Sequence, residues 1–123
     1  MKFSIDKKEK YTLFKVGEEK LNSIIAPELK SELVLLNAEG IRNIILDLSD
    51  VTYVDSSGLS AILIGNRLCK NANGSFALTQ LQDNVTKLLK ISQLDSILNV
   101  FNTFEEASDY VLMEELERDI GKN

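Results

Sequence analysis

The stretch Ile45–Leu63, ILDLSDVTYVDSSGLSAIL, runs from an apolar segment through one acid and two serines to a glycine, then into a second apolar segment of different period. Ile44, Ile45, Leu46 and Leu48 form a near-continuous apolar run, the pattern of a strand buried on both faces of a parallel sheet. Beyond the glycine, Leu59, Ile62, Leu63 and Leu68 recur at helical spacing until Asn73-Gly74 breaks the pattern. Val51, Tyr53 and Val54 lead in from the strand side, so Asp55-Ser56-Ser57-Gly58 falls where a helix begins. The first N–H groups of a helix lack partners and its dipole end is positive, so acids and hydroxyls belong there for capping reasons alone. A phosphate on a serine is housed equally well, because helix N-termini hold anions and Gly58 leaves the backbone open to close approach. Local chemistry leaves both readings open.

Upstream, Lys2 to Asp6 and Tyr11 to Val16 alternate as two strands joined through the polar Lys7-Lys8-Glu9-Lys10, which predicts a hairpin with a solvated turn. In IIAPELKSELVLLNAEG, Leu29, Leu33 and Leu36 share one helical face, Pro27 suits a first turn and Gly40 a stop, so a helix is expected from about Ala26 to Ala38. Downstream, SFALTQL reads as a strand, QDNVTKLLKIS as a short helix with Asp83 as N-cap, and SILNVF as another strand. The closing helix opens on the capping-box spacing Thr103 to Glu106 and is expected to turn Ala107, Tyr110, Val111 and Leu116 inward. The order predicts an α/β fold: a mainly parallel sheet, an N-terminal antiparallel hairpin and about four helices.

Composition narrows the function. The 123 residues, 44% hydrophobic and 27% charged, suit a single domain over 1–123. No apolar run is long enough to span a membrane, the N-terminus lacks the apolar core of a signal peptide, and the chain is expected in the cytoplasm. A net charge of −5 opposes direct nucleic-acid binding and points to protein partners. Histidine is absent and Cys69 is the one cysteine, so neither a histidine-based catalytic triad nor a common zinc site can be assembled; no cofactor and no metal are expected. Cys69 lies within the apolar helical pattern and reads as core packing. From Thr103 onward seven acids face two bases, Arg118 and Lys122, a local charge of −5 that equals the total for the whole chain. That acidic helix and tail read either as a solvated surface or as a docking surface for a basic partner.

The stretch quoted first, taken with LNSIIAPELKSEL before it and DNVTKLLKISQLDSIL after it, resembles the STAS domain, and specifically the stand-alone bacterial anti-sigma factor antagonists. The resemblance runs from about Phe3 to Val111, and its most specific element is Asp55-Ser56-Ser57-Gly58-Leu59 following a strand. It implies a partner switch. The unphosphorylated protein binds an anti-sigma factor that is also a serine kinase, freeing a sigma factor. Phosphorylation of the serine before the glycine, here Ser57, releases it, and a serine phosphatase restores it. Such a protein is a substrate and a binder, not an enzyme. Asp55, Ser56, Gly58 and Leu59 then shape the surface presented to the partner, with Ser56 as a supporting cap. Asn22 stands where many members carry an aspartate and is expected in the same interface, replaceable at little cost in stability. Gln93 stands where a glycine is common, which places the turn after the third helix in question.

Three other readings are weaker. A response-regulator receiver needs an acidic pair after its first strand, and the N-terminal hairpin opposes it. A Ser57 hydrolase lacks both a G-x-S-x-G elbow and a histidine. Gly65 to Lys70 lacks the end of a nucleotide-binding P-loop. The remaining rival is a STAS adapter in a signalling scaffold or lipid-transport complex, with Ser57 never phosphorylated.

Overall fold

The computed structural model describes residues 1–121; Lys122 and Asn123, the end of the expected domain and of its acidic tail, lie outside the described residues. The strands are β1 (Phe3–Lys7), β2 (Thr12–Val16), β3 (Lys20–Leu21), β4 (Ile44–Asp47), β5 (Tyr53–Val54), β6 (Phe76–Thr79) and β7 (Asn99–Phe101). The helices are α1 (Ala26–Ala38), α2 (Ser56–Asn71), α3 (Asp83–Ile91) and α4 (Phe104–Gly121), with one 3₁₀ turn at Leu94–Ser96. The main sheet has the order β1-β2-β4-β6-β7; β1 is antiparallel to β2, and every other neighbour is parallel. The predicted hairpin and parallel sheet are both present.

Alternation along the central strands divides the core. Leu46, Phe76 and Leu78 pack with Leu29, Leu33 and Ile62 of α1 and α2, whereas Ile45 and Ala77, pointing the other way, pack with Ala107 and Val111 of α4. The α1–α2 pair therefore covers one face and α4 the other. Cys69 is buried as expected, and burial pushes its thiol up to about 12, which keeps it protonated and inert.

Several local expectations change. Val51, Tyr53 and Val54 do not extend β4: the chain turns at Leu48, whose carbonyl accepts from Val51 N–H at 3.0 Å, and β5 pairs in parallel with β3 in a separate two-stranded sheet. Asp83 is the first helical residue of α3, and the N-cap is Gln82. An acid there still lies within the first turn and favours the dipole. Gln93 adopts φ 61°, so the chain keeps the left-handed turn that a glycine would make easily. Thr103 does cap α4, accepting from Glu106 N–H at 3.1 Å.

Leu116, expected inside, is half exposed, and its neighbour Glu115 turns inward instead. The carboxylate of Glu115 accepts from Asn43 Nδ2 at 2.7 Å, Arg42 Nη2 at 3.0 Å and Arg118 Nη1 at 2.9 Å, tying α4 to the start of β4. Asn43 also donates to the Lys10 carbonyl and accepts from Ser75 N–H, so the network reaches the hairpin and β6. Burial acts to raise the Glu115 pKa, but hydrogen bonds from Asn43 and Arg42 and the charges of Arg42 and Arg118 together hold it below the ordinary carboxylate value. The stability it contributes is therefore complete above the carboxylate pKa of the unfolded chain and is lost as pH falls through the lower folded value. Glu115→Gln is expected to cost about 1.5–3 kcal/mol at pH 7, the worth of charged hydrogen bonds. Urea melts across the acid range should show the gap between variant and wild type closing as pH falls.

Candidate functional site

The β3–β5 ladder positions the site. Pairing Lys20 with Tyr53 and Leu21 with Val54 brings the Asn22 loop beside the start of α2, and Asp55 N–H donates to the Leu21 carbonyl at 3.2 Å. Asp55 is the N-cap of α2, in extended conformation (φ −99°, ψ −174°). Its two carboxylate oxygens have separate tasks: Oδ1 accepts from Gly58 N–H at 2.9 Å, closing the first turn, and Oδ2 accepts from Ser23 N–H at 3.2 Å, holding the neighbouring loop. One acid thus caps the helix and fastens the edge beside it.

Ser56 and Ser57 occupy the first two helical positions, Ser56 exposed and Ser57 half-buried. The supporting-cap role expected for Ser56 is filled by Asp55. Leu59 is half-buried and packs against the main core, and its N–H bonds back to the Asp55 carbonyl. Gly58 is buried, and a Cβ at its position would lie 2.8 Å from Val54 Cγ1 and 2.9 Å from Leu21 Cγ, closer still to the Leu21 carbonyl oxygen. Here the glycine is needed because the first turn of α2 lies directly on β3 and β5, not because of a left-handed φ.

The two serines open onto a shallow cavity of about 350 Å³ between α1 and α2, whose wall also includes Ser23, Pro27, Lys30 and Ser60. Lys30 is the charged member of that wall. Ser60 was legible in principle, since it lies four residues beyond Ser56 on one helical face. Lys30 was not, because its place depends on how α1 packs against α2.

Asn22 sits at this edge, as expected, but its side chain serves the chain itself. Its Oδ1 accepts from Ile24 N–H at 3.0 Å and Ile25 N–H at 3.3 Å, and its carbonyl accepts from Ala26 N–H at 2.7 Å. It is an Asx turn that launches α1. The expectation that residue 22 can be replaced at little cost is therefore corrected. Asn22→Lys should lose about 0.5–2 kcal/mol, as lost side-chain caps do, a shift that thermal melting would register.

Taken together, the geometry is a serine pair, one exposed and one half-buried, on the positive end of a helix, backed by a cavity with one lysine and framed by a loop pinned to the same cap. Comparisons with known proteins find relatives of this chain. The STAS domain model matches residues 2–107. BtrV of Bordetella bronchiseptica, a protein assigned as an anti-sigma factor antagonist, is 32% identical over 88 residues, 72% of this chain and 76% of that protein. Among solved structures, a Thermotoga maritima protein with the same assignment matches with a TM-score of 0.79 at 27% identity, covering 89% of this chain and 93% of its own. SpoIIAA of Bacillus in its phosphorylated form shares the fold, with a TM-score of 0.69 at 20% identity over 89% of this chain and 99% of that one.

Proposed function

The chain belongs to the STAS domain family, and from that premise we propose that it is an anti-sigma factor antagonist that works by partner switching. In its unmodified form it binds an anti-sigma factor carrying serine kinase activity and so releases a sigma factor for transcription. The kinase phosphorylates Ser57, the complex dissociates, and a serine phosphatase resets the protein. The chain acts in the cytoplasm as a substrate and a binder, with no catalytic residues of its own.

The observation that carries the reading is the placement of Ser57 directly before a glycine required by packing, on the rim of the α1–α2 cavity. Ser57 is held in a fixed helical turn, so a kinase meets one defined geometry. Asp55, Ser56 and the Asn22 loop form the surrounding surface, and Gly58 and Leu59, packed beneath it, hold the turn in place. The relationship to BtrV supports the anti-sigma partner, and SpoIIAA, solved both unphosphorylated and phosphorylated, supports a fold compatible with either state.

Affinity capture of the chain from its own cells, with mass spectrometry of partners and of Ser57, tests the partner. The captured kinase with ATP is then expected to label wild type and Ser56→Ala but not Ser57→Ala. Labelling that survives Ser57→Ala would move the acceptor elsewhere. A captured complex with no kinase and an unmodified Ser57 would favour the adapter reading.

A further inference from the structure

α4 has two apolar faces, and the sheet accounts for only one. Ala107 and Val111 are buried against β4 and β6. On the opposite side Leu112, Leu116 and Ile120, spaced four apart, line up with Met113, and their exposures are 42%, 52%, 63% and 55%. This is a continuous stripe of four large side chains on one helix, not scattered single residues, and stripes of that kind mark contact surfaces. Its flanks are acidic. Asp109, Glu117 and Asp119 are exposed beside it, while Arg118, the basic residue of the last turn, is drawn inward to Glu115 and Ser75. Among the described residues of α4 no cation faces outward with the stripe.

That charge pattern selects the occupant. A second copy of this chain would set acid against acid on both flanks, which costs affinity. A basic amphipathic helix would bury the stripe under its own apolar residues and place lysines or arginines along the acidic edges, the arrangement of a coiled-coil seam with charged flanks. We propose that the outward face of α4 is a docking surface for a basic amphipathic helix of another protein. The surface lies across the sheet from α1 and α2, so it is filled independently of the state of Ser57. The acidity of the closing helix then has a role in recognition, beyond solvation.

The test uses the full isotope-labelled chain and a synthetic leucine–lysine peptide with an apolar stripe at helical spacing, beside a scrambled peptide of the same composition. The striped peptide should shift amide resonances on the outer side of α4 and bind at least about tenfold more tightly than the scrambled one, the effect of a single well-packed anchor. Leu116→Glu should weaken it at least about tenfold by calorimetry with an unchanged circular dichroism spectrum. Because that change adds negative charge, attraction by charge alone would instead strengthen binding. Ser57→Asp should leave the affinity unchanged. Equal binding of the scrambled peptide, stronger binding by Leu116→Glu, or no resonance shift on α4 each overturns the proposal. So does sedimentation showing that wild type self-associates through the stripe and that Leu116→Glu dissolves the dimer.

Discussion

Phosphorylation of Ser57 is expected to weaken binding of the anti-sigma partner at least about 100-fold while leaving the fold intact. At neutral pH the group adds about −1.5 to −2 charges. Within the isolated protein that charge meets both favourable and unfavourable surroundings. The N-terminus of α2 stabilises it by roughly 0.3–1 kcal/mol, and Lys30 lines the same cavity. Asp55 opposes it, with both carboxylate oxygens already engaged at the cap. These contributions are small and of opposite sign, so the melting temperature should move by only a few degrees. At an interface the balance differs. Covering the phosphate with a docked surface that brings no matching cation costs several kcal/mol, and each 1.4 kcal/mol is tenfold in affinity. Ser57→Asp should reproduce only part of the loss, having one charge and a shorter reach. Titration calorimetry with the partner, alongside thermal melts of modified and unmodified protein, reads both quantities. A collapsed melting curve would make the switch an unfolding event, and full affinity after modification would leave Ser57 without a regulatory role.

Gly58→Ala is expected to destabilise the protein by about 1–2 kcal/mol although alanine is the better helix former. Helix propensity alone favours the change by about 0.5–1 kcal/mol. Against that, the added methyl meets the Leu21 carbonyl, Leu21 Cγ and Val54 Cγ1, on two strands that cannot yield without breaking the β3–β5 pairing. Overpacking against backbone costs about 1–3 kcal/mol or more, so sterics win. Gly121 supplies the contrast: nothing lies within 4 Å of a Cβ there, so Gly121→Ala should leave stability unchanged or slightly raised. Chemical denaturation of the two variants beside wild type measures the difference. A Gly58→Ala protein as stable as Gly121→Ala would mean that α2 can slide off β3, and the site would lose its fixed frame.

Much of the molecule was legible in the residues because it is encoded over short distances. The apolar run at Ile44–Leu48 does form the buried centre of the sheet, the Leu29, Leu33 and Leu36 face of α1 is buried, and Thr103 caps α4 through Glu106 N–H, as the Thr103–Glu106 spacing suggests. The Asp55-Ser56-Ser57-Gly58 turn lies at the start of a helix because caps and dipole are properties of one turn of chain. Each of these depends on neighbours within a few residues, whose period and chemistry a sequence displays directly.

What the sequence left undecided depends on partners far along the chain. Two residues, Lys20 and Leu21, carry no strand signal of their own, yet by pairing with Tyr53 and Val54 they bring Asn22 and Ser23 to the cap of α2. Glu115 and Leu116 exchange their expected places because Arg42 and Asn43, more than seventy residues earlier, offer the carboxylate enough hydrogen bonds to offset its burial. Lys30 lines the same cavity as the serines only because α1 packs on α2. Periodicity states which face of an element prefers to be dry; which polar group is admitted to the interior, and which apolar face remains outside, is set by the donors and acceptors that the finished fold happens to bring within bonding distance.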